Sequence, residues 1–264
     1  MNQIFKKIAK IPWVAEFRRN RQIRSDAHNI ANTWTAEDEK MRLFYGQFLG
    51  AGELCFDIGA NVGNRLKIFQ KIGARVIAIE PQRQCARELR RCYGDNEKIV
   101  IVEMAVSDSL GKAELMTSNF HMVSSLSQEW VSATKSSGRF SQHRWRRSGM
   151  VDLTTMDTLI DQYGIPRFAK IDVEGFELKV IQGLTRPIPF ISLEFTPETR
   201  QSSLECLQWL ANLGEPVFNF SNGESMTFTH SDWINLRQMK DYLESLEVTH
   251  KVWGDIYVSY PDLK

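Results

Sequence analysis

The sequence predicts an α/β fold, Rossmann-like and doubly wound, with a mostly parallel sheet closed by a C-terminal antiparallel strand pair. Three observations predict it. From Glu53 onward short apolar runs alternate with stretches of helical periodicity, the pattern of βαβ units and a parallel sheet. The first apolar run, residues 54–58, leads directly into small residues and then a helix. The second, residues 76–80, ends on an acid followed by Pro81.

Ahead of that core, residues 1–50 read as an N-terminal helical basic arm. Ile4, Phe5, Ile8 and Ile11 recur at helical spacing among Lys6, Lys7, Lys10, Arg18, Arg19, Arg21 and Arg24. Such an arm suits packing over the core with solvated lysines, or peripheral contact with an anionic membrane surface or a protein. Within the α/β domain, residues 51–264, the pattern predicts helices over 64–72 and 83–93, and a third strand over 99–106. A hairpin over 110–116 follows, with Gly111 at its turn. Residues 127–150 are polar, with Lys135, Arg139, Arg144, Arg146 and Arg147 around Trp145, and read as a basic insertion or lid. Beyond it come a helix over 156–163, a strand over 168–172, a helix over 174–184, a strand over 190–195 and a helix over 204–213. The runs 217–220 and 255–260 then supply the antiparallel pair.

A chain of 264 residues with 42% hydrophobic and 25% charged residues can bury a full sheet core in one catalytic domain. Its net charge of +1 advertises no polyanionic partner globally, so basic patches must be judged locally. Cys55, Cys85, Cys92 and Cys206 have neither zinc-site spacing nor a disulfide framework, and read as reduced thiols. No apolar run is long enough to span a bilayer, and no signal-peptide core is present. The expected location is the cytoplasm, with membrane association left open through the basic arm.

The strongest chemical signal is Phe56-Asp57-Ile58-Gly59-Ala60-Asn61-Val62-Gly63. Gly59 and Gly63 permit turn conformations closed to other residues and let a ligand approach the backbone. Asp57, at the strand's carboxyl end, is placed to meet a cationic group, and Glu80, at the next strand end, to accept ribose hydroxyls. A nicotinamide-binding loop needs G-x-G-x-x-G, but Asn61 and Asn64 stand at its second and third glycine positions. That disfavours pyrophosphate and favours S-adenosylmethionine, with Asn61 free to hydrogen-bond it. The second signal is Lys170-Ile171-Asp172-Val173-Glu174-Gly175-Phe176-Glu177, at a strand-to-helix junction on the same sheet edge. Asp172 is the candidate base or acceptor-positioning group, or a helix cap; Lys170 can stabilise a developing alkoxide. Glu174 and Glu177, three apart, read as one face of the following helix. Asp172, Glu174 and Glu194 have the oxygen chemistry a divalent cation takes, but no metal is predicted.

With the loop DIGANVG, the strand end IAIEP, then VSDSLGKAEL, DLTTMDTL and KIDVEGFEL in order, the sequence resembles the FkbM family of methyltransferases over roughly residues 53–196. The resemblance implies a class I methyltransferase fold with a seven-stranded sheet, S-adenosylmethionine as donor, and usually O-methylation of sugars, polyketides or other small or glycan-linked acceptors. It implies Asp57, Gly59, Asn61 and Gly63 at the methionine end, Glu80 at the ribose, and Ala105 and Val106 against the adenine. Asp172 and Glu174 border the reaction centre, and Ser124 and Ser125 face the acceptor.

Methyl transfer from a sulfonium is an in-line displacement that alignment accelerates, while an alcohol must also lose its proton. Asp172 is the expected base; His121, also a candidate acceptor contact, and His143 are alternatives. The basic lid with Phe140 and Trp145 suits an acidic acceptor, or alternatively RNA, which is less favoured. A non-catalytic scaffold on a degenerate methyltransferase fold is a further reading, and intact Asp57, Gly59, Gly63 and Glu80 weigh against it.

Overall fold

The computed structural model describes residues 12–249 and 251–263. Two helices precede the first strand, α1 (Pro12–Asn32) and α2 (Ala36–Tyr45). Helix α2 starts where it does because Thr35 and Asp38 form a capping box, each side chain accepting from the other's backbone N–H. The amphipathic stretch read at Ile4, Phe5, Ile8 and Ile11, with Lys6, Lys7 and Lys10, lies outside the described residues.

The core then alternates β1 (Leu54–Ile58), α3 (Leu66–Ile72), β2 (Arg75–Ile79), α4 (Arg83–Tyr93) and β3 (Ile99–Val102). Next come β4 (Ala105–Val106), β5 (Gly111–Ser118), a 3₁₀ turn at His121–Val123, α5 (Gln128–Ser136) and β6 (Trp145–Thr154). The second half holds α6 (Met156–Tyr163), β7 (Phe168–Ile171), α7 (Glu177–Gln182), β8 (Phe190–Phe195) and α8 (Arg200–Ala211). It closes with β9 (Val217–Asn222), α9 (Leu236–Ser245) and β10 (Gly254–Ser259).

Seven strands make one sheet in the order β3-β2-β1-β7-β8-β10-β9. All neighbours through β8 are parallel, and only β10 runs against the strands on either side of it. Strands β1 and β7 are buried along their whole length, as a strand covered on both faces must be, and each carries one charged residue, Asp57 and Lys170. Phe56, Ile58, Ile171 and Leu193 join one apolar layer; Cys55, Val76, Phe168 and Tyr257 join the other, with Phe44, Tyr45 and Phe69. The sheet order reverses direction at β1 and β7, so the crevice beyond their carboxyl ends is where an open α/β sheet takes a ligand.

Three expected boundaries move, each for a local reason. The third strand stops at Val102 because Ala105 and Val106 pair instead with β6, in a separate sheet ordered β4-β6-β5. The 110–116 segment does not fold into a hairpin of its own; as β5 it pairs antiparallel with β6 across a long connection. Helix α7 begins only at Glu177, because Glu174 (φ 55°) and Gly175 (φ 86°) adopt left-handed conformations that cannot lie inside a right-handed helix. Glu174 is therefore not on the helix face shared with Glu177.

Residues 127–150 contain α5 and the start of β6, tied to the body by a small cluster of Val123, Trp130 and Val131 with Phe140 and Trp145 packed against it. Its cations are partly occupied. Arg139 is buried against Glu198 at 2.8 Å and donates to the Thr249 and Val252 carbonyls, and Lys135 lies 4.9 Å from the Trp145 ring centroid. All four cysteines are free thiols. Among the described residues no helix is long and apolar enough to cross a membrane.

Candidate functional site

The tight turn after β1 is set by sterics. Gly59 has φ 85°, and a Cβ there would lie 1.8 Å from the Asp172 carbonyl oxygen. The loops after β1 and β7 thus touch backbone to backbone, which only glycine permits. Asn61 follows at φ 49°, a conformation asparagine tolerates better than most residues. Its backbone N–H donates to Glu80 Oε2 at 2.8 Å, and the Gln82 N–H donates to Glu80 Oε1 at 2.7 Å. Glu80 therefore ties the loop after β1 to the loop after β2 while facing the space between them.

That space is a cleft of about 1000 Å³, open to solvent, at the carboxyl ends of β1, β2 and β7. Asp57, Gly59, Asn61, Glu80, Ala105 and Val106 all line it. So do Lys170, Asp172 and Glu174, and Ser124 and Ser125. Gly63 lies outside the lining, packed against Tyr93, where a Cβ would sit 3.0 Å from the ring.

Two acids in this cleft are held away from their usual charge state. Burial pushes the Asp57 carboxyl up to about 7, despite the opposing pull of Lys170, and Asp57 Oδ2 is buried with no hydrogen-bond partner. Burial likewise raises Glu80 to about 7 against its two backbone donors. An unpaired buried carboxylate is costly unless a cation or donor meets it. The cleft therefore has an acidic floor with an open valence.

At the β7 end, Lys170 is 1% exposed, and its Nζ donates to Asp172 Oδ2 at 3.1 Å and to Asp255 Oδ1 at 3.0 Å. Burial opposes its charge, but the two carboxylates outweigh that and hold its pKa well above the ordinary lysine value. Lys170 is thus a fixed cation that orients Asp172, whose Oδ1 has no hydrogen-bond partner among the described residues. Asp255, in an otherwise apolar strand β10, is a site residue that sequence reasoning missed. Its signal was a lone acid opening an apolar run, which becomes meaningful only once β10 is known to lie two strands from β7.

Carboxylate oxygens of Asp172, Glu174 and Glu194 lie within 4.8 Å of one another. Burial, and then the neighbouring acids, raise Glu174 and Glu194 well above the usual carboxylate range. The group thus divides: Asp172 is paired with a lysine, while burial disfavours the charged forms of the two glutamates. Glu177 closes the loop from below, its Oε1 accepting from the Val173 and Gly175 backbone N–H groups at 3.2 Å each.

The two serines brace different loops. Ser125 Oγ donates to the Glu174 carbonyl at 2.6 Å and accepts from the Ser127 N–H; Ser124 Oγ donates to Gln82 Oε1 at 2.9 Å. Gly175 lets Trp130 pack on the loop, since a Cβ there would meet its side chain at 2.3 Å. His121 is not brought to the cleft. It is 2% exposed behind the cofactor-type loop, with Nδ1 2.6 Å from Asn61 Oδ1 and Nε2 3.0 Å from Asp26 Oδ2 on α1. Burial lowers its pKa against the pull of Asp26, and since Asn61 Oδ1 and Asp26 Oδ2 are both acceptors, a neutral ring can donate to only one of them. His143 also lies outside the lining, stacked with Phe120.

Comparisons with known proteins agree with this arrangement at the level of family. A family profile described as the methyltransferase FkbM domain matches residues 57–217. Among solved structures, a precorrin-6y C5,15-methyltransferase from Geobacter metallireducens is similar at 11% identity and TM-score 0.45, over 84% of this chain and 88% of its own. Cofactor-bound Rv0187 from MTB is similar at 12% identity and TM-score 0.43, over 91% and 89%. At that similarity no functional detail transfers from either protein. No curated protein matches the sequence.

Proposed function

The chain belongs to the FkbM family of methyltransferases, and from that premise we propose that it O-methylates a hydroxyl of a sugar, a glycan-linked acceptor or another small molecule, with S-adenosylmethionine as donor. The observation that carries the reading is Asp172, a carboxylate with one oxygen fixed by a buried lysine and the other free beside an open cleft.

The residues fit the donor. Asp57 Oδ2, buried and unpaired, suits an ammonium group, and the left-handed Gly59 turn leaves room for close approach to the backbone. Glu80 keeps lone pairs on both oxygens after accepting from Asn61 and Gln82, which suits a pair of ribose hydroxyls. Ala105 and Val106 offer an apolar wall for a base. The arrangement requires no pyrophosphate cradle, since Asn61 and Asn64 stand where a dinucleotide loop needs glycine. When bound, the donor supplies an electrophilic methyl group on sulfur.

The chain's own work is orientation and proton handling. Asp172 Oδ1 accepts the hydroxyl proton, Lys170 holds that carboxylate in place, and Asp255 holds Lys170. Glu174, in the cleft wall, hydrogen-bonds an oxygen of the acceptor and fixes which hydroxyl faces Asp172. Ser125 and Glu177 keep the loop in its left-handed path.

The test is transfer of labelled methyl from S-adenosylmethionine to a panel of hydroxyl acceptors. Asp172→Asn is expected to lower kcat by about 10²–10⁴, as loss of a general base does, with cofactor affinity kept. Label appearing only on nitrogen or carbon acceptors, or full activity in the variant, contradicts the proposal.

A further inference from the structure

Beside the proposed reaction cleft, and sharing Pro81, Gln82 and Leu115 with it, lies a second cleft to which the methyl-transfer reading assigns no role. It is an open cleft of about 2120 Å³ between α1, α4 and the β5–β6 pair, and six arginines line it: Arg19, Arg83, Arg87, Arg90, Arg146 and Arg147. Only Glu16, Glu103 and Asp152 oppose them among the lining residues. This concentration of positive charge stands out in a chain whose net charge is only +1.

The charges are incompletely compensated. Arg90 pairs with Glu103 at 2.6 Å, and Arg147 reaches Glu114 at 3.2 Å. Arg146 is only loosely paired with Glu16, at 3.7 Å. Among the described residues Arg83 and Arg87 have no carboxylate partner. Half-buried Arg19 donates to two neutral acceptors, the Ser118 carbonyl and Gln82 Oε1. Helix α4 opens onto the same cleft at Arg83. Its first turn carries no acid and the Gln82 side chain makes no cap, so the positive end of the helix adds to the field.

We infer that this cleft is a binding site for a compact ligand carrying a diphosphate group. Guanidinium forks and a helix N-terminus are the two commonest protein partners of phosphate oxygens, and here they converge. The shape and lining select among polyanions. The site is concave, which does not match a bilayer surface. Among the described residues no Phe, Tyr or Trp lines it, so they offer none of the stacking platforms that single-stranded nucleic acid uses. The inference stands apart from the methyl-transfer reading, since none of the six arginines holds a reacting group.

The experiment is isothermal titration of the full chain with inorganic pyrophosphate at low salt. Saturable binding is expected, weakened more than tenfold in Arg83→Ala/Arg87→Ala, as loss of charge-assisted hydrogen bonds dictates. Arg87→Glu, a single exposed position, serves as the second variant, with circular dichroism melts verifying that both fold; it too should bind at least tenfold more weakly. Absence of saturable binding to folded wild type, or wild-type affinity in Arg87→Glu, overturns the inference. So does binding of an oligoribonucleotide or of phosphatidylserine vesicles that the substitutions weaken while pyrophosphate does not bind.

Discussion

Replacing Asp57 by Asn should stabilise the ligand-free protein at alkaline pH while removing the acid proposed to meet the donor's ammonium group. The side chain is 2% exposed, and burial raises its carboxyl from 3.8 to about 7. That difference of about three units corresponds to roughly 4 kcal/mol at 1.36 kcal/mol per unit. The sign follows from proton counts. Between these two values the unfolded chain is ionised at this residue while the native state keeps its proton. Stability contributed by the group is therefore greatest below pH 4, falls as pH rises, and reaches its full penalty only above about 7. Asparagine does not ionise, so the variant escapes the penalty. Relative to wild type it should gain about 2–3 kcal/mol in going from pH 5 to pH 8. Glu80 and Glu177 titrate in the same range but are common to both proteins, so they largely cancel. Urea unfolding followed by circular dichroism at both pH values measures the difference directly. A variant-to-wild-type gap that stays constant across the two would refute the reasoning. A confirmed gain would mean that this residue is kept for binding at the expense of stability.

Lys170→Met should cost about 3–5 kcal/mol, because it strands Asp255, whose side chain is 9% exposed, without its cation; urea unfolding at pH 7 reads it, and Lys170→Met/Asp255→Leu should recover part of the loss. Gly59→Ala forces a methyl group to within 1.8 Å of the Asp172 carbonyl, so the loops after β1 and β7 must separate. A loss of at least about 1–3 kcal/mol is expected in thermal melts, together with weaker S-adenosylhomocysteine binding. His121→Ala removes the bridge between Asn61 and Asp26 and should cost about 1–3 kcal/mol, with cofactor affinity falling because Asn61 loses its support. An unchanged affinity in that variant would mean the loop holds its shape without α1.

Much of this molecule is legible in the sequence because its signals are local. Strands β1 and β7 are short, mostly apolar runs, each with a single charged residue, and the loops that follow them carry glycines at positions where φ is positive. Asp57, Glu80 and Asp172 share one sheet edge simply because each ends a parallel strand or follows one directly. What stayed hidden is non-local. Residues 145–150 are mostly exposed and include Arg146, Arg147 and Gly149, so no alternation marks them as strand; they are β6 only through backbone pairing with β5, some thirty residues earlier. The break after Val102 follows from the same pairing. Asp255 and His121 gain meaning only through partners 85 and 60 residues away, Lys170 and Asn61. The delayed start of α7 was marked by Gly175, but helical spacing of Glu174 and Glu177 argued the other way, and the backbone decided it.

The central claim, that the cleft beyond β1 and β2 holds the nucleoside donor, is tested most directly by calorimetric titration with S-adenosylhomocysteine of wild type and Glu80→Ala. Binding in the micromolar range is expected for wild type, weakened about tenfold or more in the variant through loss of charged hydrogen bonds. No binding to folded wild-type protein, or equal binding by both, would contradict it.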